Sequence, residues 1–369
     1  MYETTAAALR EAAGSGKRVR FRGGGTKIGW GAPVPEPDVE IASGELTRIV
    51  EHNAGDLTAV VQAGVPMAAL RDELAAAGQM LAIDPPLLDG ATVGGTLATA
   101  DSGPLRHRYG APRDLVLGMT VALSDGTVAR AGGKVIKNVA GYDLAKLFTG
   151  SFGTLGMILE VAVRLHPLPP LTVTAVGESD DPARVAAAAS ALTHSAIEAQ
   201  CLDVRWDGGR GAVLVQLAGA EAAGQAGEAA ALLAGEGMET RSEEDDAGLW
   251  DDQRAPQRSA DGVVVKVSGV QEQLAAQMGA AERCGGSLVA RAAHGLAWVR
   301  LPGADAVAEL RRELAPSPCV VLDAPDAVRA AVDPWGVASD SGAVDLMRRV
   351  KQRFDPAGAC NRNAFVGGI

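Results

Sequence analysis

Three stretches rich in glycine and hydroxyl side chains carry the chemistry most legible in this sequence. The first is Gly23-Gly24-Gly25-Thr26-Lys27. Successive N–H groups with no Cβ between them wrap an anion as a nest; Thr26 adds a hydroxyl, and Arg22 or Lys27 adds positive charge. A diphosphate fits that set. The second stretch, Ala91-Thr92-Val93-Gly94-Gly95-Thr96-Leu97-Ala98-Thr99, offers hydroxyls and N–H donors with no bulky side chain, so a flat ring can lie against it. The third, Gly150-Ser151-Phe152-Gly153-Thr154-Leu155-Gly156, presents backbone groups suited to a nucleotide edge. Between Gly90 and Gly156 stand thirteen glycines in 67 residues, where average usage of ~7% gives about five. Such density means repeated φ > 0 turns and backbone approaching something closely.

Other phosphate and metal signatures are missing. After Gly23 and Gly25 the third glycine of a G-x-G-x-x-G would fall at Ile28, and no Walker A, HExxH or EF-hand pattern occurs. Five scattered histidines suggest no metal cluster. Cys201, Cys284, Cys319 and Cys360 form no CxxC pair, so zinc and iron–sulfur spacings are absent and reduced, buried thiols are expected.

The elements that must position these stretches read as follows. Thr4–Ala13 is a helix capped by Thr4 or Thr5, Val19–Arg22 a strand leading into the first glycine loop, Val39–Ala42 a second strand, and Leu46–His52 a helix. Leu57–Ala63 is a β-rich strand. Pro66 and Gly78 bracket a helix as N1 and C′ residues, with Leu70 and Leu74 on one face, and Met80–Ile83 returns as a strand. Leu115–Leu123 and Val128–Ala131 flank Asp125-Gly126, a strong hairpin signal. Tyr142–Phe148 is a short helix. Met157–Leu165 alternates as a strand before His166-Pro167-Leu168-Pro169-Pro170, the expected domain boundary. Beyond it, Ala-rich helices (Pro182–Leu192, Glu221–Gly235, Gln271–Arg283) alternate with strands (Gly211–Leu217, Val263–Ser268, Ala297–Leu301), which predicts an antiparallel sheet with helices on one face. The acidic run Glu243–Asp246 reads as solvated surface. A last helix, Ala343–Phe354, precedes a Gly-rich tail.

Hydrophobic residues make up 47%, charged residues 21% and aromatics only 4% of 369 residues, so a folded chain with a core of Ala, Val and Leu is expected. The net charge of −11 argues against non-specific nucleic-acid binding, which needs a basic face. Residues 1–17 hold Glu3 and Glu11 and no apolar core region, unlike a signal peptide, and no apolar run approaches the roughly 20 residues that span a bilayer.

In this order and spacing, RGGGTK, DLTAVVQAGV, GATVGGTLATADSGPLRHRYGAPRDLVLGMTVALSDGTV and KNVAGYDLAKLFTGSFGTLGMILEVAVRLHPLP resemble the PCMH-type FAD-binding domain of the vanillyl-alcohol-oxidase superfamily, over about residues 1–170. Within it, RGGGTKIGWG, KNVAGYDLAKLFTGSFG and the tail around Trp335-Gly336, LMRRVKQRFDPAGACN and FVGGI resemble FAD-binding subunits of glycolate oxidase (glycolate dehydrogenase). The resemblance implies an α+β fold: a two-lobed FAD domain over residues 1–170, a smaller α+β cap with an antiparallel sheet over 171–330, and a helix and tail over 331–369 returning to the FAD domain. It implies that Gly23, Gly24, Gly25 and Thr26 hold the pyrophosphate, with Arg22 and Lys27 counted among the cofactor-binding residues for their charge. Thr92, Gly94, Gly95 and Thr96 would line the flavin and diphosphate; Asp84-Pro85-Pro86 would turn before them. Ser102, Gly103, Tyr109 and Gly110 match the following loop, and Gly153, Thr154, Gly156 and Ile158 the adenine side. No His or Cys stands where covalently flavinylated relatives carry one, so non-covalent FAD is implied. The tail departs from the pattern at Asn363-Ala364, where a Gly and a basic residue are expected before Phe365.

A 2-hydroxy-acid oxidase also needs a cation for the carboxylate and a base near the hydroxyl. Arg254 near Trp250 and Arg205 beside Trp206 are the clamp candidates and His294 the base candidate; His194 and His294 lack the metal-binding spacing of the catalytic relative. Three readings stay open: an FAD subunit of a glycolate-type 2-hydroxy-acid dehydrogenase passing electrons to a partner, a non-catalytic accessory flavoprotein subunit, and a stand-alone alditol or lactone oxidase. The resemblance further implies a second flavoprotein and an iron–sulfur subunit as partners, no metal in this chain, and a cytoplasmic place, at most peripheral at the inner membrane through those partners.

Overall fold

The computed structural model describes residues 1–135, 142–337 and 341–369; residues 137–141, the KNVAG of the fourth matching stretch, lie outside the described residues. The chain forms an α+β fold of two compact units, the first made of Met1–Ser102, Tyr109–Leu168 and Val337–Ile369, the second of Gly103–Arg108 and Pro169–Gly336.

In the first unit a five-stranded antiparallel sheet runs in the order Ile49–Asn53, Thr58–Gln62, Met157–Arg164, Val116–Ala122, Val128–Gly132. The alternation of Met157, Leu159, Val161 and Val163 seats all four in the interior, yet Ile158 and Ala162 are buried as well, as a central strand covered on both faces requires. Val19–Arg22 pairs in parallel with Val39–Ala42, and the helix Tyr2–Gly14 buries Ala6, Leu9 and Ala12 beside Val19, Leu46 and Leu159. Its N-cap is Met1, not Thr4 or Thr5. Pro66 is the N-cap of Met67–Ala76 instead of its first helical residue.

The helix expected at Leu46–His52 is not formed. Ile49–Asn53 is a strand, paired antiparallel with Thr58–Gln62. The reversal between them decides it: Asn53 Nδ2 donates to Asp56 Oδ2 at 2.6 Å, the Asp56 N–H returns to Asn53 Oδ1 at 3.2 Å, and a helix through Asn53 would abolish that turn. The β-branched Ile49 and Val50 suit the pleat.

The second unit is an eight-stranded sheet, antiparallel throughout: Glu239–Glu243, Thr172–Ser179, Arg210–Ala218, Cys201–Asp207, Ser287–Arg291, Leu296–Leu301, Val263–Ser268, Cys319–Asp323. One face packs Val173, Leu202, Val204, Val215 and Val265 against Val185, Ala226, Ala229, Met278 and Leu310 from its helices; small Ala side chains let helix and sheet approach closely. The opposite face holds Val176, Leu214 and Trp250. Glu243–Asp246 is not a uniformly solvated run. Asp246 is 6% exposed, and its carboxylate accepts from Thr172 and Thr174 Oγ1 at 3.0 and 2.7 Å and from Gln216 Nε2 at 2.9 Å; three donors repay its desolvation. All four cysteines are buried and free. Among the described residues no helix is long and apolar enough to cross a membrane.

Candidate functional site

The first unit holds a cleft of about 320 Å³, lined by the loop after Val19–Arg22, the helix Val93–Thr99, residues 152–158 and residues 361–364. The glycine loop exists because its main chain packs too closely on its neighbours to admit a Cβ. A Cβ on Gly24 would lie 1.5 Å from the Gly90 carbonyl oxygen, and one on Gly23 would lie 2.3 Å from Thr92 Oγ1. Gly25 sits at φ +77°, where a side chain is strained.

The second stretch forms a helix, Val93–Thr99, capped by Thr92, whose Oγ1 accepts from Gly95 N–H at 3.3 Å. Its first N–H groups are engaged: Val93 donates to Val65 O at 2.9 Å and Gly94 to Ala63 O at 2.8 Å. An anion here is therefore left to the Gly23–Lys27 loop and not to the helix terminus. Gly94 packs on Ala63, where a Cβ would fall 2.6 Å from the Ala63 Cβ, while Gly95 is half-buried and lines the cleft. Lys27 Nζ lies 3.1 Å from Asp101 Oδ2, both side chains nearly buried. This places a compensated positive charge in the cleft wall.

Of the residues singled out in the sequence, Arg22, Gly23, Gly24, Gly25, Thr26, Lys27, Thr92, Gly94, Gly95, Gly153, Gly156 and Ile158 line this one cleft. Thr96 and Thr154 are buried beneath it, Thr154 donating to Ser151 O at 2.7 Å. Pro85 and Ser102 are buried in the same unit, and the Tyr109 ring packs 4.6 Å from that of His166, beside Gly110 at φ +85°. Gly103 is counted with the second unit. There Arg254 is held by Asp251 at 2.5 Å, Arg205 lies 3.8 Å from Glu178, and His294 stands edge-on to His107 with ring centroids 6.0 Å apart.

Sequence reasoning missed the tail's share in the cleft. Asn361 Oδ1 accepts from the Phe21 N–H at 2.9 Å and its Nδ2 donates to Phe152 O at 2.6 Å, so one side chain ties the strand before the glycine loop to the turn before Met157. Lys351 Nζ donates to Thr154 O and Cys360 O at 2.7 and 2.8 Å. Asp355 accepts from the Cys360 N–H at 2.8 Å; burial pushes its carboxyl up, but Lys351 and these N–H groups hold it below the usual range. The phrase FDPAGACN was the only local signal. Among the described residues no group of three or more His, Cys, Asp or Glu could hold a metal ion.

Comparison with known proteins finds similarity over part of this region. Residues 2–132 match the FAD binding domain. The chain is 37% identical to D-lactate dehydrogenase (cytochrome) 1, mitochondrial, of Saccharomyces cerevisiae over 43% of its own length and 27% of that protein's. It is 39% identical to glycolate oxidase subunit GlcD of Bacillus subtilis over 40% and 32% of the two chains. With glycolate oxidase subunit GlcE of Escherichia coli it shares 34% identity over 56% of itself and 61% of that subunit. The chain thus spans less than two thirds of each of these relatives. A solved structure of alkyldihydroxyacetonephosphate synthase matches 97% of the chain and 73% of its own with a TM-score of 0.73 at 16% identity, a likeness of fold.

Proposed function

We propose, from the premise that residues 2–132 match the FAD binding domain, that the chain holds FAD non-covalently in the cleft of its first unit. We further propose that it works as the FAD subunit of an oxidoreductase for small 2-hydroxy acids of the glycolate or D-lactate kind. Its partners in this reading are a second flavoprotein subunit and an iron–sulfur subunit. When bound, FAD supplies a two-electron acceptor: the Cα hydrogen of the hydroxy acid leaves with both electrons, the hydroxyl proton goes to a base, and the 2-oxo acid results.

The observation that carries the reading is the bare main chain of Gly23–Gly25 lining one cleft with Thr92 and backed by the Gly90 carbonyl, a wall that would bring N–H groups to a diphosphate without intervening side chains. Gly95 leaves the adjoining helix face open for a flat ring. Lys27, held by Asp101, offsets diphosphate charge from beneath. The relatives named glycolate oxidase and D-lactate dehydrogenase supply the substrate class.

The test is the spectrum of the purified full chain, titrated with FAD and then given glycolate, D-lactate or a sugar alcohol without oxygen. The expected result is one FAD per chain, released intact on denaturation, and bleaching by a hydroxy acid. A colourless chain indifferent to FAD overturns the reading, and bleaching by the sugar alcohol alone overturns the substrate class. Bleaching by glycolate only with partner subunits present assigns the chain the accessory role.

A further inference from the structure

The sheet face of the second unit that turns away from its main helices buries an ion pair whose arginine keeps unpaired N–H donors. Arg291 and Asp203 sit opposite each other on neighbouring strands. Both side chains are 0% exposed, and Arg291 Nη1 donates to Asp203 Oδ2 at 2.6 Å. The guanidinium carbon lies 4.7 Å from the centroid of the Trp298 ring, which supports it from one face. Arg291 Nε and Nη2 then have no partner among the described residues. Those two N–H groups form the parallel edge with which arginine grips a carboxylate through two hydrogen bonds, and buried donors left unpaired are costly.

The neighbours fit an anion. Lys266 Nζ lies 5.7 Å from the same Trp298 ring, and Arg106 and Arg291 both act on His294. His294 follows Arg291 by three residues, on the turn Ala292–His294, and its Nδ1 also lacks a partner among the described residues. Burial, then Arg106 and Arg291, lower its pKa; the ring is neutral at neutral pH and offers a lone pair to a hydroxyl.

We infer that Arg291 is the carboxylate-binding residue of a small-molecule site in the second unit, with His294 accepting the hydrogen bond of the ligand's 2-hydroxyl. That the ligand is a 2-hydroxy acid rests on the proposed function; the carboxylate site rests on the geometry alone. Arg254, which acts on Asp203, belongs to the surroundings of the pair and not to the clamp.

The probes are oxalate, a carboxylate with no hydroxyl hydrogen to donate, and glycolate, which has one. Both are titrated by calorimetry into the full chain after incubation with excess FAD. Arg291→Lys keeps the charge and the Asp203 partner but lacks the paired edge. Its oxalate affinity is expected to fall tenfold or more, the worth of a lost charge-assisted hydrogen bond, with the unfolding midpoint near that of the unaltered chain; Arg291→Met loses further. His294→Phe is expected to weaken glycolate several-fold and leave oxalate within twofold. An unaltered chain that binds neither probe, or an Arg291→Lys chain that binds oxalate within twofold of it, overturns the site. Equal losses for both probes in His294→Phe overturn the hydroxyl contact. Flavin content is read in the same samples: a chain that binds oxalate through Arg291 but takes no FAD sinks the proposed function and leaves this site standing.

Discussion

At the scale of single residues, burial has tuned His107 as well as His294. Burial, His294 and Arg108 pull the His107 pKa from 6.5 to about 4, and its Nδ1 has no partner among the described residues. The sign follows from linkage. Between pH 6.5 and 4 the unfolded chain takes up a proton that the folded chain refuses, so this contribution is complete above pH 6.5, declines as pH falls, and is gone below about 4. It amounts to at most about 3 kcal/mol. Urea unfolding of the chain and of His107→Gln at pH 7 and pH 4.5 checks it: the variant is expected to lose less stability over that interval, and equal losses would rule out the folded chain's refusal of a proton at His107. The glycines at 23, 24 and 25 were legible residue by residue, because only a missing Cβ explains three in a row beside a charged pair. Asp246 was not. A carboxylate in an acidic run looks solvated until the two threonines and the glutamine that bind it, from 30 to 74 positions away, are brought together by the sheet.

At the scale of elements, the tail behaves as an added strand. Cys360 bridges Val19 in parallel, the Val19 N–H donates to Ala359 O and the Asn361 N–H to Val19 O, each at 2.9 Å. Asn361 then spends both ends of its amide on Phe21 and Phe152, at a backbone φ of +36°. Asn tolerates that conformation better than Ala. Asn361→Ala removes two hydrogen bonds, leaves a partly buried N–H and C=O unpaired and adds strain, together about 2–4 kcal/mol. Because both partners flank the cleft, a weaker FAD dissociation constant is expected along with the lower urea midpoint; unchanged FAD affinity beside lowered stability would show the tail to be a brace only. Periodicity and turn chemistry made most elements readable, from the Asp125-Gly126 hairpin to the Ala-rich helices. They failed at Leu46–His52, where spacing suits either a helix or a strand and the Asn53–Asp56 turn arbitrates. They also missed the tail, whose partners lie 209 and 340 residues away.

At the scale of the whole molecule, two cores poor in aromatics divide the labour. The described lining of the cleft proposed for FAD comes from the first unit, and the buried polar face around Arg291 from the second. A ligand that binds only the folded state stabilises what it touches by mass action, and local opening is governed by local stability more than by the global value. Added FAD should therefore slow amide hydrogen exchange first along Val19–Trp30, Val93–Thr99, Gly153–Ile158 and Asn361–Ala364. The strand Cys201–Asp207 and its neighbour Ser287–Arg291, central in the other sheet, should change less at equal FAD. Oxalate should do the reverse, protecting the amides around Arg291 and His294 and leaving the glycine loop as it was. Mass spectrometry of the exchanging chain at saturating FAD, at saturating oxalate and with neither ligand separates the two patterns. If both ligands protect the same segments to the same degree, the assignment of flavin and carboxylate to different cores is wrong, and the glycine-walled cleft of the first unit must take both.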